Sequence, residues 1–122
     1  KYVSIRDTAT KAPLENYYHG FLNGIFTSCE KLVSEYHSNY ESGNGYPDIT
    51  FKAERNTKAV IIEIKATSNE ENMDELATNA LSQIEEKNYE QPFIKQSKIT
   101  EIYAYGLVFC KKDCLVFCKK LK

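Results

Sequence analysis

The sequence lacks several features that would assign it at once to a class of protein. No apolar run approaches the roughly 20 residues of a membrane-spanning helix, and the first residues do not resemble a signal peptide. The four cysteines do not follow the CxxC spacing of zinc sites. We therefore expect a cytoplasmic protein with reduced thiols, and not a secreted, membrane or zinc-binding one.

A strong net charge is also missing. The 16 basic and 17 acidic residues give a formal net charge of −1, whereas a strongly basic chain would favour nucleic-acid binding. The charge is nevertheless segregated: acidic residues dominate residues 70–91, and lysines dominate residues 92–122. The basic segment either contacts a phosphate backbone or is simply solvated. Any affinity for DNA is expected to be modest or to depend on another domain.

The length and composition are typical of one globular domain. A chain of 122 residues with 42% hydrophobic and 27% charged residues can bury one sizeable core. Residues 1–12 show no periodicity and are expected to form a connector or a frayed start, with the domain over residues 13–122. Because the sequence does not begin with Met, we expect it to be a fragment of a longer protein.

The strongest pattern is a β-hairpin formed by residues 46–51 and 59–65. Both segments are rich in Ile, Val and Phe and are separated by polar turn residues. A turn centred between Arg55 and Asn56 would pair residues on an apolar face that belongs to the core: Ile49 with Ile62, and Phe51 with Val60.

The same register places two carboxylates together on the other face of the hairpin. Asp48 would lie opposite Glu63, with Lys65 two residues further along. Directly opposed like charges destabilise a sheet, so the pair calls for a cation, and hard oxygen ligands suit Mg²⁺. The alternative is an ordinary charged strand end that faces solvent.

Helical periodicity predicts two helices around this hairpin. The first would run from Pro13 to about residue 38, and the second from about Ser68 to about Tyr89, where Pro92 ends it. The expected apolar stripe of the first helix is Leu14, Tyr18, Phe21, Leu22, Ile25, Cys29, Leu32, Val33 and Tyr36. That of the second is Met73, Leu76, Ala77, Ala80, Leu81 and Ile84.

The C-terminal segment predicts a second hairpin. The sequence Leu-Val-Phe-Cys-Lys-Lys occurs at residues 107–112 and again at residues 115–120. We interpret residues 99–110 as a buried strand and residues 115–118 as its edge partner. With a short strand near Tyr40, the elements predict an α/β sandwich in which helices flank a mixed central β-sheet.

The hairpin motif resembles the signature of the PD-(D/E)XK nuclease superfamily. The resemblance rests on Pro47-Asp48 followed by Glu63-Ile64-Lys65, and it implies a restriction-endonuclease-like fold. Further motifs make the chain similar, over about residues 14–118, to a nuclease domain found at the carboxyl end of bacterial AAA-type ATPase-like proteins. These motifs are Glu15-Asn16-Tyr17-Tyr18-His19, Glu41-Ser42-Gly43-Asn44-Gly45, and Gln83-Ile84 with Lys87 and Tyr89. The chain departs from that family at Tyr40 and Tyr46, where basic residues are common.

The resemblance implies that three residues of the hairpin hold a metal ion. Asp48, Glu63 and the Ile64 carbonyl would bind Mg²⁺, with Mn²⁺ as a substitute, and Lys65 would position water or stabilise charge.

Four further polar residues each have two competing interpretations. Glu15 supports the metal or is an exposed residue at a helix start, and His19 contacts substrate or caps the helix face. Gln83 and Tyr89 orient the substrate or Lys65, or they only flank the apolar stripe.

Two functions follow as hypotheses. The first is a Mg²⁺-dependent nuclease in which Asp48, Glu63 and Lys65 hydrolyse phosphodiester bonds of nucleic acid, with DNA as the expected substrate. The second is a non-catalytic module that binds nucleic acid or protein and regulates an attached AAA-type ATPase. An intact set of Asp48, Glu63 and Lys65 favours the first, and the near-neutral charge favours the second.

Overall fold

A computed structural model describes residues 11–39 and 45–122, with the side chains of residues 15–39 and 45–122. In this part of the chain, no helix is long and apolar enough to cross a membrane. The helices are α1 (Lys11–Thr27), α2 (Met73–Glu86) and the short α3 (Gln91–Ile94), and a 3-10 turn at Glu70–Asn72 precedes α2. The strands are β1 (Val33–Ser38), β2 (Ile49–Ala53), β3 (Lys58–Ala66), β4 (Glu101–Cys110) and β5 (Asp113–Lys120).

The five strands form one mixed sheet in the order β1-β2-β3-β4-β5. Neighbouring strands are antiparallel except for β3 and β4, which are parallel because α2 carries the chain back between them. The helix α1 packs on one face of the sheet and α2 on the other. The predicted α/β sandwich with a mixed central sheet is confirmed, and it is consistent with a restriction-endonuclease-like fold.

The register of the central hairpin is as predicted. Ile49 lies opposite Ile62, and Phe51 lies opposite Val60. The turn between the strands is tight, because its residues Glu54, Arg55 and Asn56 have positive φ angles of 49°, 58° and 66°. Both apolar pairs face α1, as expected for a core face.

Two apolar cores lie on the two faces of the sheet. The α1-side core joins Tyr18 and Leu22 to β2, β3 and β4, with Tyr18 stacked on Phe109 at a ring-centroid distance of 4.0 Å. The α2-side core contains Ile84 and Tyr89 together with Ile61 of β3 and residues of β4. Because β3 contributes side chains to both cores, its position is fixed from both faces.

The prediction for the first helix was wrong at both ends. The helix begins at Lys11 instead of Pro13, and it ends at Thr27 instead of near residue 38. The hydroxyl groups of Thr27 and Ser28 donate hydrogen bonds to carbonyl oxygens one turn back, at Asn23 and Ile25. These bonds close the last turn, and the chain then leaves the helix axis.

Residues that were predicted to continue the helix instead form the edge strand β1. It pairs antiparallel with β2, from Val33 opposite Ala53 to Ser38 opposite Ile49. The register shifts between Ser34 and His37, where Glu35 has a positive φ of 50°. The short strand predicted near Tyr40, and the motif residues 41–44, lie outside the described residues.

The second helix was predicted in the correct place but too long. Asn69, and not Ser68, caps the 3-10 turn that precedes the helix: the Asn69 side chain accepts a hydrogen bond from the Glu71 N–H at 3.0 Å. The helix ends at Glu86, and Asn88, with a φ of 56°, turns the chain. Pro92 therefore lies in the first turn of α3 instead of ending α2. The predicted stripe is confirmed in part: Ala77, Ala80 and Ile84 are buried, whereas Met73, Leu76 and Leu81 are half-buried.

The C-terminal hairpin was predicted correctly in its pairing but not in its bounds. Strand β4 begins at Glu101 instead of residue 99, and β5 covers Asp113–Lys120 instead of residues 115–118. Strand β4 lies between β3 and β5, and β5 is an edge strand, with partners running from Tyr103 opposite Lys120 to Cys110 opposite Asp113. The four cysteines, Cys29, Cys110, Cys114 and Cys118, are free.

Gly106 allows α2 to lie directly on β4. A Cβ atom at this position would lie 2.8 Å from the Ala77 carbonyl oxygen and 3.0 Å from the Ala80 Cβ.

We expect Gly106→Ala to push α2 off the sheet and lower the free energy of unfolding by about 1–3 kcal/mol, measured by urea denaturation. Gly24→Ala is the control, because Gly24 is an exposed helical residue with nothing within 4 Å of an added Cβ. It should add up to about 1 kcal/mol through helix propensity. Equal stability of the two variants would contradict this account of the contact.

Candidate active site

Asp48 and Glu63 hold each other in place through backbone hydrogen bonds. The Asp48 N–H donates to Glu63 Oε1 at 3.1 Å, and the Ile64 N–H donates to Asp48 Oδ2 at 2.8 Å. Asp48 precedes β2, and Glu63 and Ile64 lie in β3, so the hairpin register brings the three residues together. Both acidic residues are buried, with 3% and 1% of their surface exposed. The structure thus fixes two carboxylates side by side.

Burial makes it costly for both carboxylates to be ionised. It is the main reason that the pKa of Asp48 rises to about 6 and that of Glu63 to about 8. The charge of Asp48 raises the pKa of Glu63 further, and Glu15 raises the pKa of both residues. The backbone N–H groups and Lys65 act in the opposite direction. A bound cation would relieve this repulsion.

Lys65 is held beside the acid pair by α2. Its Nζ donates a hydrogen bond to Gln83 Oε1 at 2.9 Å. Lys65 lowers the pKa of both Asp48 and Glu63, so its charge acts on the pair. Gln83 therefore contacts the lysine of the sequence motif directly, which is one of the two interpretations that the sequence left open.

Tyr89 is buried on the same side of the sheet. Its hydroxyl makes no hydrogen bond of normal geometry with the described residues. Burial raises the pKa of Tyr89, and the charges of Glu63 and Asp48 raise it further, whereas a hydrogen bond with the Gln83 side chain lowers it. These influences place the Tyr89 hydroxyl close to the acid pair and to Gln83.

His19 lies behind the acid pair. It is buried, and its Nε2 is 2.6 Å from the Ser38 Oγ at the end of β1. Burial lowers the pKa of His19, and a hydrogen bond with the backbone of Asp48 partly offsets this effect. His19 thus connects α1 to the segment that carries Asp48. With 3% exposure, the His19 side chain is poorly accessible from solvent.

Glu15 lies one helical turn before His19, on the same face of α1. It is half-buried and close enough to the pair to raise the pKa of both acids. Among the described residues, however, no group of three or more His, Cys, Asp or Glu side chains is arranged to hold a metal ion. Glu15 therefore lies near Asp48 and Glu63 without forming a three-residue cluster with them.

The chemistry of the site fits a hard divalent cation. Each carboxylate uses one oxygen to accept a backbone N–H, which leaves its second oxygen for a ligand. Mg²⁺ commonly uses one or two carboxylates and keeps several waters. Asp48, Glu63 and the Ile64 carbonyl therefore form a suitable donor set, and a third carboxylate is not required.

A polar network that was not predicted from the sequence lies on the same face of the sheet. Lys52 is buried, and its Nζ lies 3.0 Å from Glu35 Oε2 and 2.6 Å from Gln96 Oε1. Alternation along β2 could have identified Lys52, because every second residue after Asp48 shares its face. Its partners could not have been found in the same way, since one lies on the unpredicted strand β1 and the other after α3.

Comparison with known proteins gives one match. A family model described as the PD-(D/E)XK nuclease superfamily matches residues 14–118. Nucleases of this superfamily typically use divalent metals. No curated protein and no solved structure gave a significant match. The matched region includes the hairpin with Asp48, Glu63 and Lys65, and also α2 with Gln83.

The raised pKa values predict that the metal-free protein loses stability as the pH rises. Glu63 binds its proton more tightly in the folded than in the unfolded chain, so its contribution is present below the ordinary pKa of 4.5. That contribution is lost as the pH rises to about 8. We expect the free energy of unfolding, measured by urea denaturation in EDTA, to fall across this range.

Glu63→Gln is the matched variant, because it keeps the shape of the side chain and removes the titration. Its stability should vary less with pH than that of the wild type. Mg²⁺ should stabilise the wild type more above pH 7 than at about pH 5, because cation binding requires deprotonated carboxylates. An identical pH dependence in the wild type and Glu63→Gln would contradict the assignment.

Proposed function

We propose that this chain, which belongs to the PD-(D/E)XK nuclease superfamily, is a metal-dependent nuclease that hydrolyses phosphodiester bonds of nucleic acid, with DNA as the first substrate to test. One observation carries the proposal: Asp48 and Glu63 are interlocked by backbone hydrogen bonds, and Lys65 is held beside them by Gln83. An exposed strand end would need neither the burial nor the hydrogen bonds.

Asp48, Glu63 and the Ile64 carbonyl would bind the metal, and Glu15 would act from nearby, through water. When bound, Mg²⁺, or Mn²⁺ in its place, polarises the phosphate and lowers the pKa of coordinated water. The protein contributes two carboxylates that are held together, because Glu63 accepts the Asp48 N–H and Asp48 accepts the Ile64 N–H. His19 is a positioning residue that holds the segment of Asp48 against α1.

Lys65 stabilises the negative charge that develops on the phosphate oxygens in the transition state. A protonated amine suits this role better than that of a general base, because it donates hydrogen bonds and has no lone pair to accept a proton. Gln83 accepts one of the three amine hydrogens and so fixes the direction of the other two. Tyr89 lies close enough to take part in orienting the substrate or the amine.

A second candidate function is a non-catalytic module that binds nucleic acid or protein. The net charge of −1 favours it, because such a chain attracts the phosphate backbone only weakly. The same charge is compatible with a nuclease whose affinity for nucleic acid comes from an attached AAA-type ATPase, in the same or a longer chain. Metal binding distinguishes the two functions, since a binding module does not need it.

The decisive comparison is between the wild type and Asp48→Asn. Asparagine keeps the hydrogen-bond acceptor for the Ile64 N–H but removes the charge. We expect Mn²⁺ binding, measured by calorimetry, and cleavage of labelled DNA and RNA both to disappear in the variant. A wild type that binds no Mn²⁺ at millimolar concentration would contradict the nuclease proposal and favour the binding module.

Lys65→Met tests the role of the amine separately. We expect kcat to fall by about 100-fold or more, while Mn²⁺ binding is retained. Lys119→Met is the control, because Lys119 is an exposed lysine on the edge strand β5. A variant Lys65→Met that cleaves at the wild-type rate would exclude this role.

A further inference from the structure

A cleft with a volume of about 530 Å³ opens beside the acid pair. One wall is formed by β1 and by the approach to β2, and the other by the connection from α2 to α3. Pro47, which precedes Asp48, lines the cleft, and so does Tyr89, whose pKa is raised by the charges of both Asp48 and Glu63. A molecule bound in this cleft would therefore lie next to the proposed site of cleavage.

Aromatic side chains from separate elements line the cleft. Tyr46 has 62% of its surface exposed, a large exposure for an aromatic residue. Phe93 of α3 contributes from the other wall and is half-buried. Flat aromatic faces of this kind stack on nucleobases, and such stacking does not depend on the base sequence.

A polar side chain also lines the cleft. Asn88 is exposed, and its backbone has a positive φ of 56°. Its side-chain amide carries both a hydrogen-bond acceptor and donors. The edge of a nucleobase, which also carries donors and acceptors, is a suitable partner for such a group.

The charge of the cleft does not suit a duplex. Among the described residues that line it, Lys87 is the single lysine or arginine, and Glu35 is the single acid. Proteins bind duplex DNA mainly by neutralising several phosphates, which one lysine cannot do. Stacking needs no such charge, but it requires a base that is not already stacked in a helix.

We propose that this cleft binds one unstacked nucleobase of a single-stranded nucleic acid, next to the phosphodiester bond that is cleaved at the acid pair. The inference rests on the proposed nuclease function and narrows its substrate to single strands, or to single-stranded ends and flaps. A volume of about 530 Å³ lies within the usual range for small-molecule sites, about 300–1,000 Å³. Tyr46 and Phe93 provide the stacking surfaces on the two walls.

The test measures base binding without cleavage. Oligonucleotides that contain 2-aminopurine, a fluorescent base quenched by stacking, are titrated with the wild type in EDTA and with Asp48→Asn. We expect quenching with single strands and at least tenfold weaker binding of the matching duplex. Tyr46→Ala and Phe93→Ala should each weaken single-strand binding by about 5- to 100-fold, whereas Tyr46→Phe should bind as the wild type does.

Val116→Ala is the control for loss of an exposed apolar side chain, because Val116 lies on the opposite edge of the sheet and is 51% exposed. It should not change binding. Equal binding of single strands and duplex, or no effect of either Tyr46→Ala or Phe93→Ala, would overturn the inference, as would the absence of any quenching.

The two proposals can fail separately. If the wild type cleaves nucleic acid but Tyr46→Ala retains its KM for single strands, the nuclease proposal stands and the base-binding cleft is excluded. If quenching depends on Tyr46 and Phe93 but no metal-dependent cleavage occurs, the cleft binds a base in a protein that is not a nuclease.

Discussion

The site is built around two carboxylates, Asp48 and Glu63, which are buried side by side although their negative charges repel each other. Directly opposed like charges destabilise a sheet. The chain offsets this destabilisation only in part, through one backbone N–H for each carboxylate and the nearby charge of Lys65. The pKa values of both acids remain raised. A protein that only needed a stable hairpin could place apolar residues here instead. The retained repulsion is the reason that we propose this position as a cation site.

The elements around the sheet act on this pair from both faces. On one face, α1 provides His19, which forms hydrogen bonds with Ser38 at the end of β1 and with the backbone of Asp48. On the other, α2 lies close to β4 because Gly106 has no side chain, and it carries Gln83 to Lys65. The parallel pairing of β3 with β4 places the strand that carries Glu63 and Lys65 beside the strand on which α2 packs. Packing and the candidate chemistry are therefore linked through the same few contacts.

The central hairpin could be predicted from the sequence, because a period of two fixes which side chains share a face. A turn centred between Arg55 and Asn56 then brings Asp48 to Glu63, and the structure has this register. The end of α1 could not be predicted, because Leu32, Val33 and Tyr36 continue the helical spacing. Residues 33–38 form a strand because they pair with β2. The contact between Gln83 and Lys65 depends on how α2 crosses the sheet, which no local pattern encodes. The resemblance to a nuclease family pointed to both residues, but the distance between them came from the fold.

The most direct test of the central claim is to locate the cation. Crystals of the protein grown with Mn²⁺ would show its position by anomalous scattering. The account predicts a peak bound by the carboxylates of Asp48 and Glu63 and the carbonyl of Ile64, at distances of about 2.0–2.3 Å, and no such peak in Asp48→Asn. A peak at another place, or a fully occupied Mn²⁺ site that persists in the variant, would contradict it.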